Sequence, residues 1–384
     1  MAFPLPSSEA LTSSNALKKR IADRIEWQDG WISFADYMNM VLYEPELGYY
    51  SGGSVNLGID GDFITAPEIS SLYGHTLANA LIPLMEQTGS RLLELGAGTG
   101  RLARDILGAF PVSGGACEYY DILEVSPELR HRQKLTLRGY EQVRWLDTLP
   151  ESFEGVLLAN EVLDAMPVQL VVKRDAGWHE LGVGCKKGNF IFGERPASQA
   201  LADWITFQIP DSICLPDGYV TEIHTRACTF IQSLAKILTA GKAGAAVFID
   251  YGFPGHEYYH PERTTGTLMC HYRHHAHADP FFMPGLQDVT AHLDFSAMAR
   301  TAVQHGLDVL CYASQSNFLI GAGLTGLVPC FSGNMSSAQS PLQSQAILKL
   351  LSPAEMGELF KVMILGHHVI PPAFMSEIDR SGRL

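Results

Sequence analysis

The sequence predicts an α/β fold around a mostly parallel sheet, and three observations predict it. Apolar residues make up 46% of the 384, enough for a sizeable core. From residue 91, short apolar runs alternate with amphipathic helical stretches, the pattern of strands joined by right-handed crossovers. The first of these runs leads directly into "GAGTG", a glycine-rich turn ahead of a helix. The length suits one α/β domain with large insertions, or two domains.

The elements follow in order. "SSNALKKRIADRIEW" opens with cap-type residues and puts Leu17, Ile21 and Ile25 on one helical face. "SFADYMNMVLY" reads as a second helix, and "EPELGYYSGGSVNLGIDGDF" as a Gly-rich loop. The next helix carries Ile69, Leu72, Tyr73, Leu77, Ala80, Leu81 and Leu84, with Thr65 and Glu68 as its expected capping box. Strands are predicted at "RLLEL", "YYDILEV", "VRWL" and "GVLLAN". The helices between them are "RLARDILGAF" and "SPELRHRQKLTLRGY", the second capped by Ser126 with Pro127 at its first position.

Antiparallel hairpins are expected over 168–196, turning at "RDAG" and "KKGN". A helix follows at 224–242 and a buried strand at "GAAVFID". Residues 252–290 read as a long irregular stretch rich in His, Pro and aromatics, of the kind that is usually functional. "DFSAMARTAVQHG" is a helix, and "LDVLCYASQSNFLIGAG" reads as two strands joined by a turn. Beyond a Ser/Gln/Gly-rich linker near 331–343, Ser352 with Glu355 marks the start of a last helix. The expected division is an N-terminal helical extension (1–90), a core (91–323) with insertions near 168–240 and 252–290, and a C-terminal helical extension (324–384).

The net charge of −14 argues against broad binding to nucleic acid or anionic membrane. Seven cysteines, at 117, 185, 214, 228, 270, 311 and 330, include no Cys-x-x-Cys pair. That speaks against a disulfide framework or structural zinc and fits a reducing compartment. The N-terminal stretch lacks a continuous apolar segment, and no run approaches a membrane span. A soluble, cytoplasmic protein is expected; whether it is a homodimer stays open.

The chemistry gathers at strand ends. Gly96, Gly98 and Gly100 let the backbone approach a ligand without a Cβ in the way. The spacing is not the G-x-G-x-x-G of dinucleotide sites, and no Gly-Lys-Ser/Thr makes it a P-loop. With Glu94 and Ala97 the turn reads E-x-G-A-G-x-G, which resembles the first motif of class I S-adenosylmethionine-dependent methyltransferases. That resemblance implies that the turn cradles the methionine part of the cofactor. Glu124, closing the second strand, suits the two ribose hydroxyls. The resemblance places Asp147, with Thr148, on the adenine amino group. For each acid the structural alternative is a helix cap or a solvated loop.

"VLLANEVLDAMP" then acquires a place. Its apolar half is the fourth strand, and its polar half lies at the carboxyl edge where ligands of open α/β sheets bind. Asn160 and Glu161 are expected beside the transferable methyl, Asn160 also at the cofactor. Methyl transfer to nitrogen needs an aligned lone pair and no water. Glu161 and Asp164 could grip a cationic nitrogen, since carboxylates pair well with guanidinium, and Asn160 could align it. Alternatively Asp164 caps a turn before Pro167 and Glu161 is solvated.

Further signatures are "GDFITAPEIS", "ANEVLDAMPV", "GYVTEIH", "FIDYGFP" and "GTLMCHYRHHAHADPF". Together with "LLELGAGTG" they resemble the MidA family, class I methyltransferases that include a mitochondrial complex I assembly factor acting as a protein arginine methyltransferase. The resemblance spans residues 61 to about 320. It implies a Rossmann-like sheet in the order 3-2-1-4-5-7-6, S-adenosyl-L-methionine as cofactor and an arginine-containing protein as substrate. The rival readings are a cofactor-binding assembly factor for a respiratory complex and a methyltransferase acting on a small molecule. The segment with Asp62 reads either as local structure or as bordering the cofactor or substrate; Glu222, with His224 beside it, is either structural or faces the acceptor cleft; Asp250 and Tyr251 stand at the end of the fifth strand, Tyr251 as a catalytic residue. His271, His274, His275 and His277 crowd seven positions. Their spacing lacks a helical His-x-x-x-His and the chemistry needs no metal, so a lid with Tyr272, one His serving as base, is expected in place of a metal site.

Overall fold

Apolar runs too short for helices and flanked by glycine form the strands of a central sheet. The computed structural model describes residues 3–52, 65–210, 214–327 and 341–384. The expectations placed on Asp62 and on the linker at 331–340 fall outside them. The strands are β1 (Arg91–Leu95), β2 (Tyr119–Leu123), β3 (Val143–Leu146), β4 (Gly155–Asn160), β5 (Gly244–Phe253), β6 (Asp308–Ser314) and β7 (Phe360–His367). Their spatial order is β3-β2-β1-β4-β5-β7-β6. The first five run parallel, and β7 lies antiparallel between β5 and β6.

The chain divides into two compact units. One, containing residues 64–162, 231–252 and 299–384, is built on the central sheet. Its core joins Leu92, Tyr120, Val156, Val247 and Ile364 of the strands to Leu77, Ile106 and Phe110 of the helices Ser71–Thr88 and Arg101–Ser113. The other contains residues 1–63, 163–230 and 253–298. In it Leu17, Ile21 and Ile25 are the buried face of helix Ser8–Trp27, as their spacing predicts. The hairpins form strands Gln169–Arg174, Gly177–Lys186 and Asn189–Pro196. Thus residues 65–90 group with the sheet, and the insertions, apart from 231–240 and residue 252, group with the first helices. No described helix is long and apolar enough to cross a membrane.

Several expectations are corrected. Thr65 precedes the short helix Ala66–Ile69 but makes no side-chain cap. Glu68 is drawn away to the Thr99 hydroxyl, 2.6 Å from Oε1, and to Arg101, 3.1 Å from Oε2. The long helix starts at Ser71, capped by Ser70. Gln315–Gly321 is a helix, not a second strand. Ser352 follows the end of helix Pro341–Leu351, and its carbonyl accepts the Glu355 and Gly357 N–H groups. The expected helical tail contributes β7. Residues 252–290 are not irregular throughout: Met269–Tyr272 pairs with His275–His277 and Asp288–Thr290.

Asp121 of β2 is fully buried and accepts hydrogen bonds from Arg91 (2.9 Å) and from both Nε and an Nη of Arg144 (2.8 and 3.0 Å). Both arginines are partly exposed and can rehydrate, so most of the cost of removing the acid is its charged hydrogen bonds. Asp121→Ala is expected to lower stability by about 2–3 kcal/mol, read from urea unfolding at constant m-value.

Candidate functional site

The carboxyl ends of β1, β4 and β5 lie side by side. Leu95 pairs with Ala159, and Asn160 with Ile249, so the glycine turn, Asn160 and Asp250 leave three adjacent strands. Glu94 is buried near the end of β1, its Oε2 accepting the Tyr120 hydroxyl at 2.8 Å. Burial pushes its carboxyl up to about 7, against the hydrogen bond from Tyr120. The Gly96 N–H closes on the Leu123 carbonyl at 3.0 Å, and the Gly100 N–H on the Ala97 carbonyl at 2.8 Å. Gly96 and Gly100 have φ of 64° and 81°. A Cβ would meet Val162 Cγ2 at 3.2 Å from Gly96 and Gln133 Cα at 3.2 Å from Gly100.

Glu124 sits just beyond β2, its two oxygens taking the Ser126 N–H and the Gln133 amide, each at 2.9 Å. Burial raises its carboxyl and these donors oppose the rise. Asp147, just beyond β3, is 84% exposed and paired to Arg130 at 2.6 Å; Thr148 beside it is exposed.

At β4, Asn160 accepts the Tyr73 hydroxyl at 2.6 Å and donates its amide to Glu161 Oε1 at 3.0 Å. The tyrosine's donor selects which end of the Asn160 amide faces Glu161. Burial, Glu161 and Asp250 together hold the Tyr73 phenol well above its usual range, so it stays a donor. Glu161 adopts φ 55°, uncommon for a side chain of its size. Its N–H bonds the Ile249 carbonyl at 2.9 Å. Buried Asp250 fastens the strand ends, accepting the Val162 N–H (3.3 Å) and the Tyr251 N–H (2.9 Å). The Tyr251 ring packs 3.9 Å from that of Phe360.

Asn160 and Glu161 therefore meet, whereas Asp164 belongs to the other unit. There it is buried, its carboxyl pushed up to about 7 by burial, and its carbonyl takes the Ala291 N–H at 3.0 Å. Its surroundings include Tyr50, whose hydroxyl donates to buried Asp288 at 3.1 Å, and Tyr43, stacked on Tyr50 at 5.6 Å. Glu222 is not an open acid: it is fully buried, accepting the Tyr258 hydroxyl (2.7 Å) and the N–H groups of Thr267 (2.8 Å) and Leu268 (2.9 Å). Its neighbour His224 is buried on Tyr258, and burial lowers it to about 3, so the ring stays neutral. His271 stands half-buried in the small sheet; Tyr272, His275 and His277 pack around Phe3. Arg273 and His274 form the turn between the two hairpin strands, both at positive φ. Among the described residues no three His, Cys, Asp or Glu side chains are arranged to hold a metal ion. Sequence reasoning missed Gln133 and Tyr73, which periodicity assigns to ordinary helix faces.

This geometry has known counterparts. The model of the family described as "Putative S-adenosyl-L-methionine-dependent methyltransferase" matches residues 76–313. The chain belongs to that family. The chain is also similar to a structure of a "likely methyl transferase" from Burkholderia thailandensis bound to S-adenosyl-homocysteine. The two share 44% identity over the whole of both chains, with a TM-score of 0.91. The protein arginine methyltransferase NDUFAF7, mitochondrial, of Danio rerio is 30% identical, covering 92% of this chain and 88% of that one. The Mus musculus counterpart is also 30% identical, with 88% and 82% covered.

This methyltransferase thus uses S-adenosyl-L-methionine, and its residues fit that group. Side chains at Gly96 and Gly100 would disrupt the turn, and acids stand at the ends of β1 and β2, groups that could accept an ammonium and ribose hydroxyls. Glu94 also marks the pH response of the free protein. Its folded value lies above the ordinary 4.5, so the folded state keeps a proton that the unfolded state has lost. Its stabilisation is full below about pH 4.5 and disappears as pH rises through about 7, by up to roughly 3 kcal/mol. Asp164 acts in the same direction and His224, whose ring is held neutral, in the opposite one, so Glu94→Gln is expected to make the change in stability between pH 5 and 8 less negative by roughly 2–3 kcal/mol. An undiminished slope in urea titrations of the variant would contradict this assignment.

Proposed function

We propose that this methyltransferase modifies a nitrogen of a protein substrate, and that the acceptor residue is arginine. The observation that carries the reading is the hydrogen-bonded row Tyr73–Asn160–Glu161 at the strand end next to the glycine turn. A carboxylate held in one orientation there can accept guanidinium N–H groups and aim one nitrogen. The relatives' designation as protein arginine methyltransferases supports the same acceptor.

When bound, the cofactor supplies a methyl group on a sulfonium, activated for in-line displacement by nitrogen. The residues that would hold it are Gly96, Ala97, Gly98 and Gly100 around the methionine part, with Glu94 beneath them. Glu124 would take the ribose, and Asp147 and Thr148 the adenine edge, with Asn160 nearest the methyl. Glu161 binds and orients the acceptor, and Tyr251 lines it. Buried Asp164 and Asp288, beside half-buried Tyr43 and Tyr50, form a second acidic and aromatic set whose chemistry suits a guanidinium. We place the protein in the cytoplasm on the reading of its cysteines; the mitochondrial designation describes its relatives.

The deciding experiment incubates lysate from a deletion strain with the enzyme and labelled S-adenosyl-L-methionine. Label on arginine in a protein supports the proposal, and mass spectrometry then shows whether that protein is a respiratory-complex subunit. Label on another residue, or confined to small molecules, refutes the arginine reading.

A further inference from the structure

We infer that Gln133 is a positioning residue of the cofactor site, locking the Gly96–Gly100 turn to Glu124 so that one rigid frame meets both ends of the ligand. Helix Pro127–Thr136 is strongly polar and buries only two residues, Leu129 and Gln133. An amide there costs free energy unless every polar atom is bonded. All are. Gln133 Nε2 donates to the Gly98 carbonyl at 3.0 Å and to Glu124 Oε2 at 2.9 Å, while Oε1 accepts the Trp145 indole N–H at 3.0 Å. These three bonds fix which end of the amide is which. The Thr136 hydroxyl adds a second tie to the turn, at the Thr99 carbonyl (2.8 Å). A fully satisfied buried network of this kind rigidifies what it joins.

The lock has an electrostatic consequence. Burial raises the Glu124 carboxyl, and the Ser126 and Val125 N–H groups and Gln133 oppose that rise. The titratable group facing it is Glu94, itself bonded to Tyr120. Removing the Gln133 donor leaves burial less opposed, so Glu124 takes up a proton at higher pH and loses acceptor strength there.

The inference rests on the reading of Glu124 as the ribose contact, and the test separates the two. Calorimetry with S-adenosyl-homocysteine is run from pH 5 to 9 on the wild type, Gln133→Leu, Trp145→Phe, Glu124→Gln, Glu94→Gln and the last combined with Gln133→Leu. Gln133→Leu should bind about tenfold more weakly at pH 8, and its acid-side loss of affinity should begin at higher pH than in the wild type. Trp145→Phe, which frees the amide to rotate, should shift the midpoint the same way by less. In the Glu94→Gln background, where Glu94 no longer titrates, Gln133→Leu should still raise the midpoint above that of Glu94→Gln alone. A folded Gln133→Leu whose midpoint is unmoved, even with weaker binding, makes Gln133 merely structural and overturns the inference. Should Gln133→Leu not fold, an unmoved midpoint in Trp145→Phe does the same. If Glu124→Gln binds and titrates like the wild type, the reading of Glu124 fails instead.

Discussion

Glu161→Gln is expected to lower kcat by about two to four orders of magnitude, the range seen when an acid–base or charge-holding group is lost from a reacting centre. Affinity for S-adenosyl-homocysteine should stay at the wild-type value. The substitution keeps the shape of the side chain and removes its charge. The Glu161 N–H still bonds the Ile249 carbonyl, and Asp250 still fastens Val162, so the strand end should keep its path. What disappears is an anionic acceptor aimed by Asn160 and, through it, by Tyr73. Tyr73→Phe should cost less, about tenfold in kcat, because Asn160 remains but its amide is no longer held in one orientation. The backbone supplies an independent check. At φ 55° an L side chain is strained and glycine is not. Glu161→Gly should therefore be as inactive as Glu161→Gln yet no less stable than the wild type. Single-turnover transfer of labelled methyl to the protein substrate measures the first effect, and thermal unfolding the last. A Glu161→Gln enzyme turning over at the wild-type rate would remove the residue from the mechanism.

The parts of this fold that could be read from the sequence are those whose local chemistry and tertiary environment agree. Strands β1, β2, β4 and β5 are largely buried on both faces, so each appears as a mostly apolar run, interrupted by Glu94 in β1, Asp121 in β2 and Asp250 in β5. The glycine turn is legible because only glycine suits its φ angles. Strand β7 was hidden by a competing signal. "FKVMILGH" follows a Ser352-x-x-Glu355 pattern that imitates a helix start, and periodicity cannot assign so short an apolar run. The same ambiguity made a strand of Gln315–Gly321. Glu68 misled for a different reason: a capping box assumes that the acid has no better partner, and Thr99 and Arg101 are better. Gln133 left no trace, because a polar group in a helix looks solvated until the elements packed on it are known, and Tyr73 reads as one more residue of an apolar helix face until its hydroxyl finds Asn160. Asp164 shows the converse. It stands only three positions after Glu161, yet the chain passes between them into another compact unit.

Gly96→Val and Gly100→Val are each expected to weaken S-adenosyl-homocysteine binding by at least about a hundredfold. Left-handed backbone costs an L residue roughly 1–2 kcal/mol, and more when the side chain is β-branched. To this is added overpacking. The new Cβ at 96 would stand 3.2 Å from Val162 Cγ2, and at 100 the same distance from the Gln133 backbone, which cannot rotate away. The turn can escape only by changing φ, and that change moves the N–H and C=O groups that make the cradle. At residue 100 it also disturbs the first turn of the following helix, whose Arg104 N–H bonds the Gly100 carbonyl at 3.0 Å. About 3 kcal/mol of combined strain corresponds to roughly a hundredfold in affinity. Alanine should lie between glycine and valine, because it carries the φ penalty without the branch. Calorimetry decides the matter in combination with Glu161→Gln. The glycine variants should lose ligand affinity, whereas Glu161→Gln should keep it and lose only the transfer step. Glycine variants that bind S-adenosyl-homocysteine like the wild type would show that the cradle lies elsewhere. A Glu161→Gln variant that also lost binding would move Glu161 from the acceptor side to the cofactor side.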